Sequence, residues 1–249
     1  MSARSSWCVL ALAVPLAAGC GRVSFDLLTD GSGPGGDAAA ADARGPDADG
    51  SGLLMHFGFS AGGLLHDDTR DLEGTCTACP SPTAGPRAGT PGALFAGTQC
   101  VHVPAKTLAP ATFTIALWER QDSTPRRTLF GKPENGATSF EDSIEIGGGP
   151  GSSGLTVYSS GGAVGTAVPV GTWHHVAGRY DGTQLAIFVD GALANAHVEL
   201  PQTYTDDDAN LGCDIDTGTE LGYFQGALAD VRLYGRALDD LEIAQLAQP

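Results

Sequence analysis

The sequence predicts an all-β fold, an antiparallel two-sheet sandwich ending in one short helix. Three observations carry this. The pairs Asp181-Gly182 and Asp190-Gly191 sit between runs rich in β-branched and aromatic residues. An Asp-Gly pair supplies the two positive φ angles of a type I′ turn and closes a two-residue hairpin. The spacing therefore predicts a three-strand meander over 172–180, 183–189 and 192–198. Beyond residue 52, short strand-like segments alternate with turn residues at regular intervals, the pattern of a β-sandwich. Finally, Asp239 precedes an apolar-periodic stretch and Glu242 follows three residues on. That spacing is a capping box, which starts a helix there.

The elements follow in chain order. Residues 1–19 read as an export signal: Arg4, then an apolar run from Trp7 to Ala18 that is too short to span a bilayer. Leu16-Ala17-Ala18-Gly19-Cys20 resembles a bacterial lipobox, with Ala17 where that motif usually carries Leu. The resemblance implies cleavage before Cys20 and acylation of its thiol; an ordinary signal peptide cut nearby is the alternative. Each buried methylene of an acyl chain would contribute about 0.8 kcal/mol to anchoring. Gly21, rather than Asp, after the Cys points to the outer membrane of a Gram-negative cell. Residues 20–52 are the anchored linker. From Thr29 on it is almost entirely Gly, Ala, Asp, Pro and Ser, which bury too little apolar surface to fold, so a disordered acidic tether is expected.

Residues 53–249 are one domain's worth of chain. The segment 54–60 alternates and reads as the first strand. In 113–119, Phe113, Ile115 and Leu117 fall on one face and Ala116 and Trp118 on the other. Two apolar faces mark a central strand. A short strand is expected over 128–132. Segments 143–146 and 155–158 flank a Gly/Ser/Pro loop and read as a hairpin.

Two blocks carry a family resemblance. Trp173-His174-His175-Val176-Ala177 continues through Tyr180-Asp181-Gly182 to Val189-Asp190-Gly191. Phe224-Gln225-Gly226 continues through Asp230-Val231-Arg232-Leu233-Tyr234 to Arg236-Ala237-Leu238. Over 53–249 the chain resembles the laminin-G-like jelly rolls of the concanavalin A-like lectin/glucanase superfamily. The resemblance implies a two-sheet jelly-roll sandwich in which Trp173, His175, Val176 and Tyr180 build the sheet. It also implies a Ca²⁺ site between the loop after the first strand and the last strand, at Asp67 or Asp68 with Asp230. Ca²⁺ needs six to eight oxygens. The family commonly has a second Asp where this chain has Ala229.

Four cysteines remain after the signal and Cys20: Cys76, Cys79, Cys100 and Cys213. An even number in an exported chain implies disulfides. Pairing Cys76 with Cys79 and Cys100 with Cys213 is favoured, with crossed pairings left open. A long-range bridge would contribute about 3–5 kcal/mol. No second C-x-x-C or His at ligand spacing supports zinc.

The formal net charge of −16 argues against nucleic acid, whose phosphates need Lys and Arg clusters. It leaves the lipid as the membrane contact. Several enzyme classes are excluded. His174 and His175 point to opposite faces of a strand and cannot act as a pair. No G-x-S-x-G elbow or H-E-x-x-H occurs. In Glu141-Asp142-Ser143-Ile144-Glu145 the central same-face position is Ser143. The two Glu would stand about 13 Å apart at the rise of a strand, too far for either glycosidase geometry.

The sequence thus predicts a non-catalytic recognition module at the cell surface, binding carbohydrate or a protein partner, with Ca²⁺ as a candidate cofactor. Tyr158, Tyr204 and Tyr223 are the aromatic candidates for ligand contact. The alternatives are a structural envelope lipoprotein without a small ligand, and an enzyme acting on polysaccharide.

Overall fold

Two antiparallel sheets pack face to face in the computed structural model. It describes residues 52–60, 63–124, 127–132, 144–148, 155–159, 162–199, 208–216 and 218–248. The expected signal, Cys20, all of the tether up to residue 51 and Tyr204 lie outside these residues. The strands are β1 (Leu53–Phe57), β2 (His66–Asp67), β3 (Leu72–Glu73), β4 (Ser81–Ala84), β5 (Pro91–Ala96) and β6 (Val101–Val103). Next come β7 (Phe113–Gln121), β8 (Phe130–Lys132), β9 (Ile144–Gly147), β10 (Leu155–Ser159), β11 (Gly162–Thr166) and β12 (His174–Tyr180). The last are β13 (Gln184–Val189), β14 (Ala192–Val198), β15 (Ala209–Leu211), β16 (Asp214–Asp216), β17 (Thr219–Leu221) and β18 (Gln225–Tyr234), followed by α1 (Asp240–Leu246).

The larger sheet runs β14-β13-β12-β7-β18-β1-β2-β3, with β4 and β5 joined to it through β18. The second runs β11-β10-β9-β8-β15-β6, and β16 pairs with β17 as a separate hairpin. The meander and the β9–β10 hairpin form as expected. β7 is central, between β12 and β18. Its Phe113, Ile115 and Leu117 join the main core, with Phe130, Ile146 and Val157 of the second sheet. The sheets approach closely at Gly178 of β12, where an added Cβ would lie 2.7 Å from Val157.

The opposite face of the large sheet has its own cluster. Ala116 and Ala177, directly paired across β7 and β12, form a low floor with Ala186. Ile243 and Leu246 of α1 pack there, each contributing about 1.5–3 kcal/mol by burial. The capping box that starts α1 is present: Glu242 N–H donates to Asp239 Oδ1 and Asp239 N–H to Glu242 Oε2, both at 2.8 Å.

One turn departs from expectation. Asp190 and Gly191 both have positive φ, 49° and 80°, and join β13 to β14 as a two-residue turn. Asp181 does not have positive φ, and three residues, 181–183, rather than two separate β12 from β13. The reason is local. Asp181 Oδ1 accepts from Thr183 N–H at 2.9 Å and Gln184 N–H at 2.8 Å, an Asx-type turn that competes with type I′ geometry.

Both favoured disulfides are present, Cys76–Cys79 and Cys100–Cys213. The second joins the ends of the paired strands β6 and β15, a staple within one sheet.

Candidate functional site

The site begins with an irregularity in β18. Ala229 pairs with Trp118, but the next pair is Arg232 with Ala116. β18 advances three residues while β7 advances two, so β18 carries one extra residue, a β-bulge. Asp230 takes the strain at φ 51°, in the left-handed region that Asp tolerates better than most side chains. Such outliers cluster at binding sites. Because of the bulge, Ala229, Asp230 and Arg232 all line one cleft on the helix-bearing face. His56 of β1 lies directly opposite Arg232 and completes that row. Trp118 forms a wall, and the β4–β5 connection brings Arg87 and Thr90 to the rim. The cleft has a volume of 360 Å³, the size range of small-ligand sites.

Its charges are pre-arranged. Asp230 Oδ1 accepts from Arg232 Nε and from His56 Nε2, each at 2.8 Å. Burial alone would push the Asp230 carboxyl up. The His56 hydrogen bond and the Arg232 charge outweigh it and hold the group far below the usual carboxylate range. Arg232 is buried and correspondingly held in its charged form by Asp230 against the opposing effect of burial. Asp230 Oδ2 has no hydrogen-bond partner among the described residues.

Beneath the cleft, the His175 ring meets Trp118 edge-on at 5.4 Å between centroids. His175 is 2 % exposed and its Nδ1 has no partner among the described residues. Burial pushes its pKa down to about 4, so the ring is neutral at physiological pH. His174 points the other way, as strand parity requires. Its Nδ1 lies 2.8 Å from Asp190 Oδ2 and its Nε2 2.9 Å from Thr172 Oγ1, which pins the β13–β14 turn.

The three expected calcium ligands do not converge as a donor set. Asp67 is fully buried: Oδ1 accepts from His56 N–H and Thr69, and Oδ2 from Arg70 Nε at 2.7 Å. Both its oxygens are thereby committed. The His56 ring stands between the other two, with Nδ1 3.2 Å from Asp68 Oδ2 and Nε2 on Asp230. The imidazole itself links these two carboxylates, and the oxygens of Asp67, Asp68 and Asp230 do not come together as a donor set, so the arrangement does not fit the ion. Elsewhere, Cys100, His102 and Glu220 approach one another, but Cys100 is in a disulfide and His102 pairs with Glu220 at 2.8 Å.

Of the nominated tyrosines, Tyr223 donates to Glu220 Oε2 at 3.1 Å, away from the cleft. The Tyr158 side chain and Tyr204 lie outside the described residues, as do Glu141 and the Glu145 side chain. Sequence reasoning thus located Asp230 but missed His56, Trp118, Arg87 and Arg232. Trp118 carried a signal, as a large aromatic on the face of β7 otherwise lined by a small residue. Arg87 carried none, since it sits in a Gly/Pro loop.

Residues 95–244, more than half of the chain, match the family model described as the Concanavalin A-like lectin/glucanases superfamily, and the chain belongs to that superfamily. No curated protein matches it. Among solved structures it is similar to domain 4 of a GH43 extracellular arabinanase from Geobacillus stearothermophilus, in complex with arabinotriose. That match has 21% identity and a TM-score of 0.61, over 80% of this chain and 99% of that one. The binding domain of botulinum neurotoxin serotype G matches at 11% identity and TM-score 0.59, over 78% of this chain and 50% of that one. A Trypanosoma rangeli sialidase mutant displaying trans-sialidase activity matches at 19% identity and TM-score 0.61, over 82% of this chain and 33% of that one. This chain therefore spans half of the neurotoxin domain and a third of the sialidase. At these identities the likeness is one of fold, and function rests on the site itself.

Proposed function

We propose that the protein is a non-catalytic glycan-recognition module, exported and held at the cell envelope by lipid on Cys20, with the helix-side cleft as its binding site. The observation that carries this is the β18 bulge. It strains the backbone to turn Asp230 into the cleft, with Oδ1 fixed by Arg232 and His56 and Oδ2 without a donor among the described residues. Sugar hydroxyls need such a pre-oriented acceptor. The arabinotriose-bound relative has the same fold, which supports the class of ligand. The charge state removes one catalytic role: a carboxyl held far below its usual range has no proton to give as a general acid.

The test is a panel of oligosaccharides and polysaccharides against the purified chain, with Ca²⁺ and again with EDTA. Binding that Asp230→Ala removes is the expected result, and the EDTA arm reads calcium dependence directly. Hydrolysis of any polymer would overturn the non-catalytic reading. No binding to any glycan would overturn the carbohydrate reading.

A further inference from the structure

We infer that the cleft selects sugars that carry a carboxylate, such as uronic or sialic acids, and that Arg87 is the residue that recognises the acid group. This rests on the glycan reading above and names its ligand class. Two independent features lead to it.

The first is how the aromatic surface is used. Sugar recognition by stacking needs a free ring face. Trp118 has none to offer: it is 7 % exposed, His175 meets it at 5.4 Å and the Arg87 guanidinium lies 5.7 Å from its centroid. What a ligand meets above Trp118 is an arginine, backed by an aromatic ring. The chemistry available there is charge and directed hydrogen bonding.

The second is the pairing of the arginines. Arg70, Arg120, Arg179, Arg232 and Arg236 each hold a carboxylate, on Asp67, Asp122, Asp240, Asp230 and Glu242. Arg87 instead donates to the backbone carbonyls of Leu246 and Gln248, and its buried Nε has no partner among the described residues. A guanidinium is always charged and matches a carboxylate with two parallel donors. Among the described arginines Arg87 and Arg127 pair with no carboxylate, and of the two Arg87 is the one that lines the cleft. Asp230 does not cancel it, because Arg232 already neutralises that charge at 2.8 Å. Asp230 Oδ2 remains to accept from a ring hydroxyl while Arg87 takes the acid.

The experiment compares the affinity of the full chain for polygalacturonate, the same polymer as its methyl ester, and sialyllactose. A charge-assisted pair predicts that the free acid binds about tenfold to a hundredfold tighter than the ester. Arg87→Gln should remove that difference, and Arg87→Lys should keep part of it. The strong overall negative charge opposes polyanions in general, so a preference for the acid has to arise locally. Where Arg87→Gln fails to fold, a salt titration of the unsubstituted chain separates the cases, since sodium chloride weakens only charge-driven binding. Binding to sialyllactose alone assigns the acid to sialic acid, and binding to polygalacturonate alone assigns it to a uronate. Equal binding of acid and ester overturns the inference while the glycan reading stands. Binding to no glycan, neutral or acidic, overturns both.

Discussion

Strand β7 carries two different surfaces on one backbone. Its inward residues Phe113, Ile115 and Leu117 are fully buried against the second sheet, and any apolar side chains of the right volume would serve. Its outward residues Thr114, Ala116 and Trp118 face α1 and the cleft, where each has a specific task. Thr114 Oγ1 accepts from Leu238 N–H at 2.9 Å and donates to Arg236 O at 3.0 Å. Ala116 lets the helix approach, and Trp118 supports Arg87 and His175. The inner face supplies stability through area; the outer face spends its few side chains on positioning charges.

Four measurements test this contrast, beginning with the most damaging change. Leu117→Ala removes inner-face packing and should cost about 2–5 kcal/mol in denaturant unfolding. Glycan affinity of the folded fraction should stay unchanged, and a change in affinity would show that the faces are coupled.

The second concerns His175, which stays neutral in the fold down to pH about 4 but titrates near 6.5 when unfolded. Below 6.5 the unfolded chain binds a proton that the folded chain refuses. Stability is therefore fully present above pH 6.5 and lost as pH falls toward 4, by about 3 kcal/mol in all. Urea midpoints across that range should fall accordingly, and His175→Leu should flatten that part of the profile. A Leu variant with the same slope would place the titration elsewhere.

Third, Asp230→Ala takes the carboxylate from a buried Arg232 and should cost about 2 kcal/mol, while abolishing glycan binding. Here, unlike at Leu117, affinity should fall by far more than stability. Smallest is Asp239→Ala, which removes the α1 cap and should cost about 1 kcal/mol in thermal unfolding. Because Leu246 of α1 lines the cleft, a modest loss of affinity should accompany it.

These effects map onto what the sequence could and could not disclose. The meander, the central strand and the helix start were legible because each is written in local periodicity or capping, where neighbours in sequence are neighbours in space. The first Asp-Gly turn was misread because a side-chain hydrogen bond from Asp181 decided between two turns with the same residues. Asp230 was singled out through its family position and assigned to calcium. The residues at 2.8 Å from it, His56 and Arg232, give it a different set of partners.

Local pattern was enough for the alternation that builds two sheets, for the cap of α1 and, through the cysteine count, for the presence of bridges. Tertiary structure alone decided that β18 bulges at Asp230 and that His56, 174 positions away, reaches its carboxylate. It alone brought Arg87 from a loop onto Trp118 and the end of α1. The physical reason is that periodicity encodes which face a residue occupies, whereas a binding site depends on register between distant strands. One extra residue in a ladder resets that register without changing the pattern that predicts the strand.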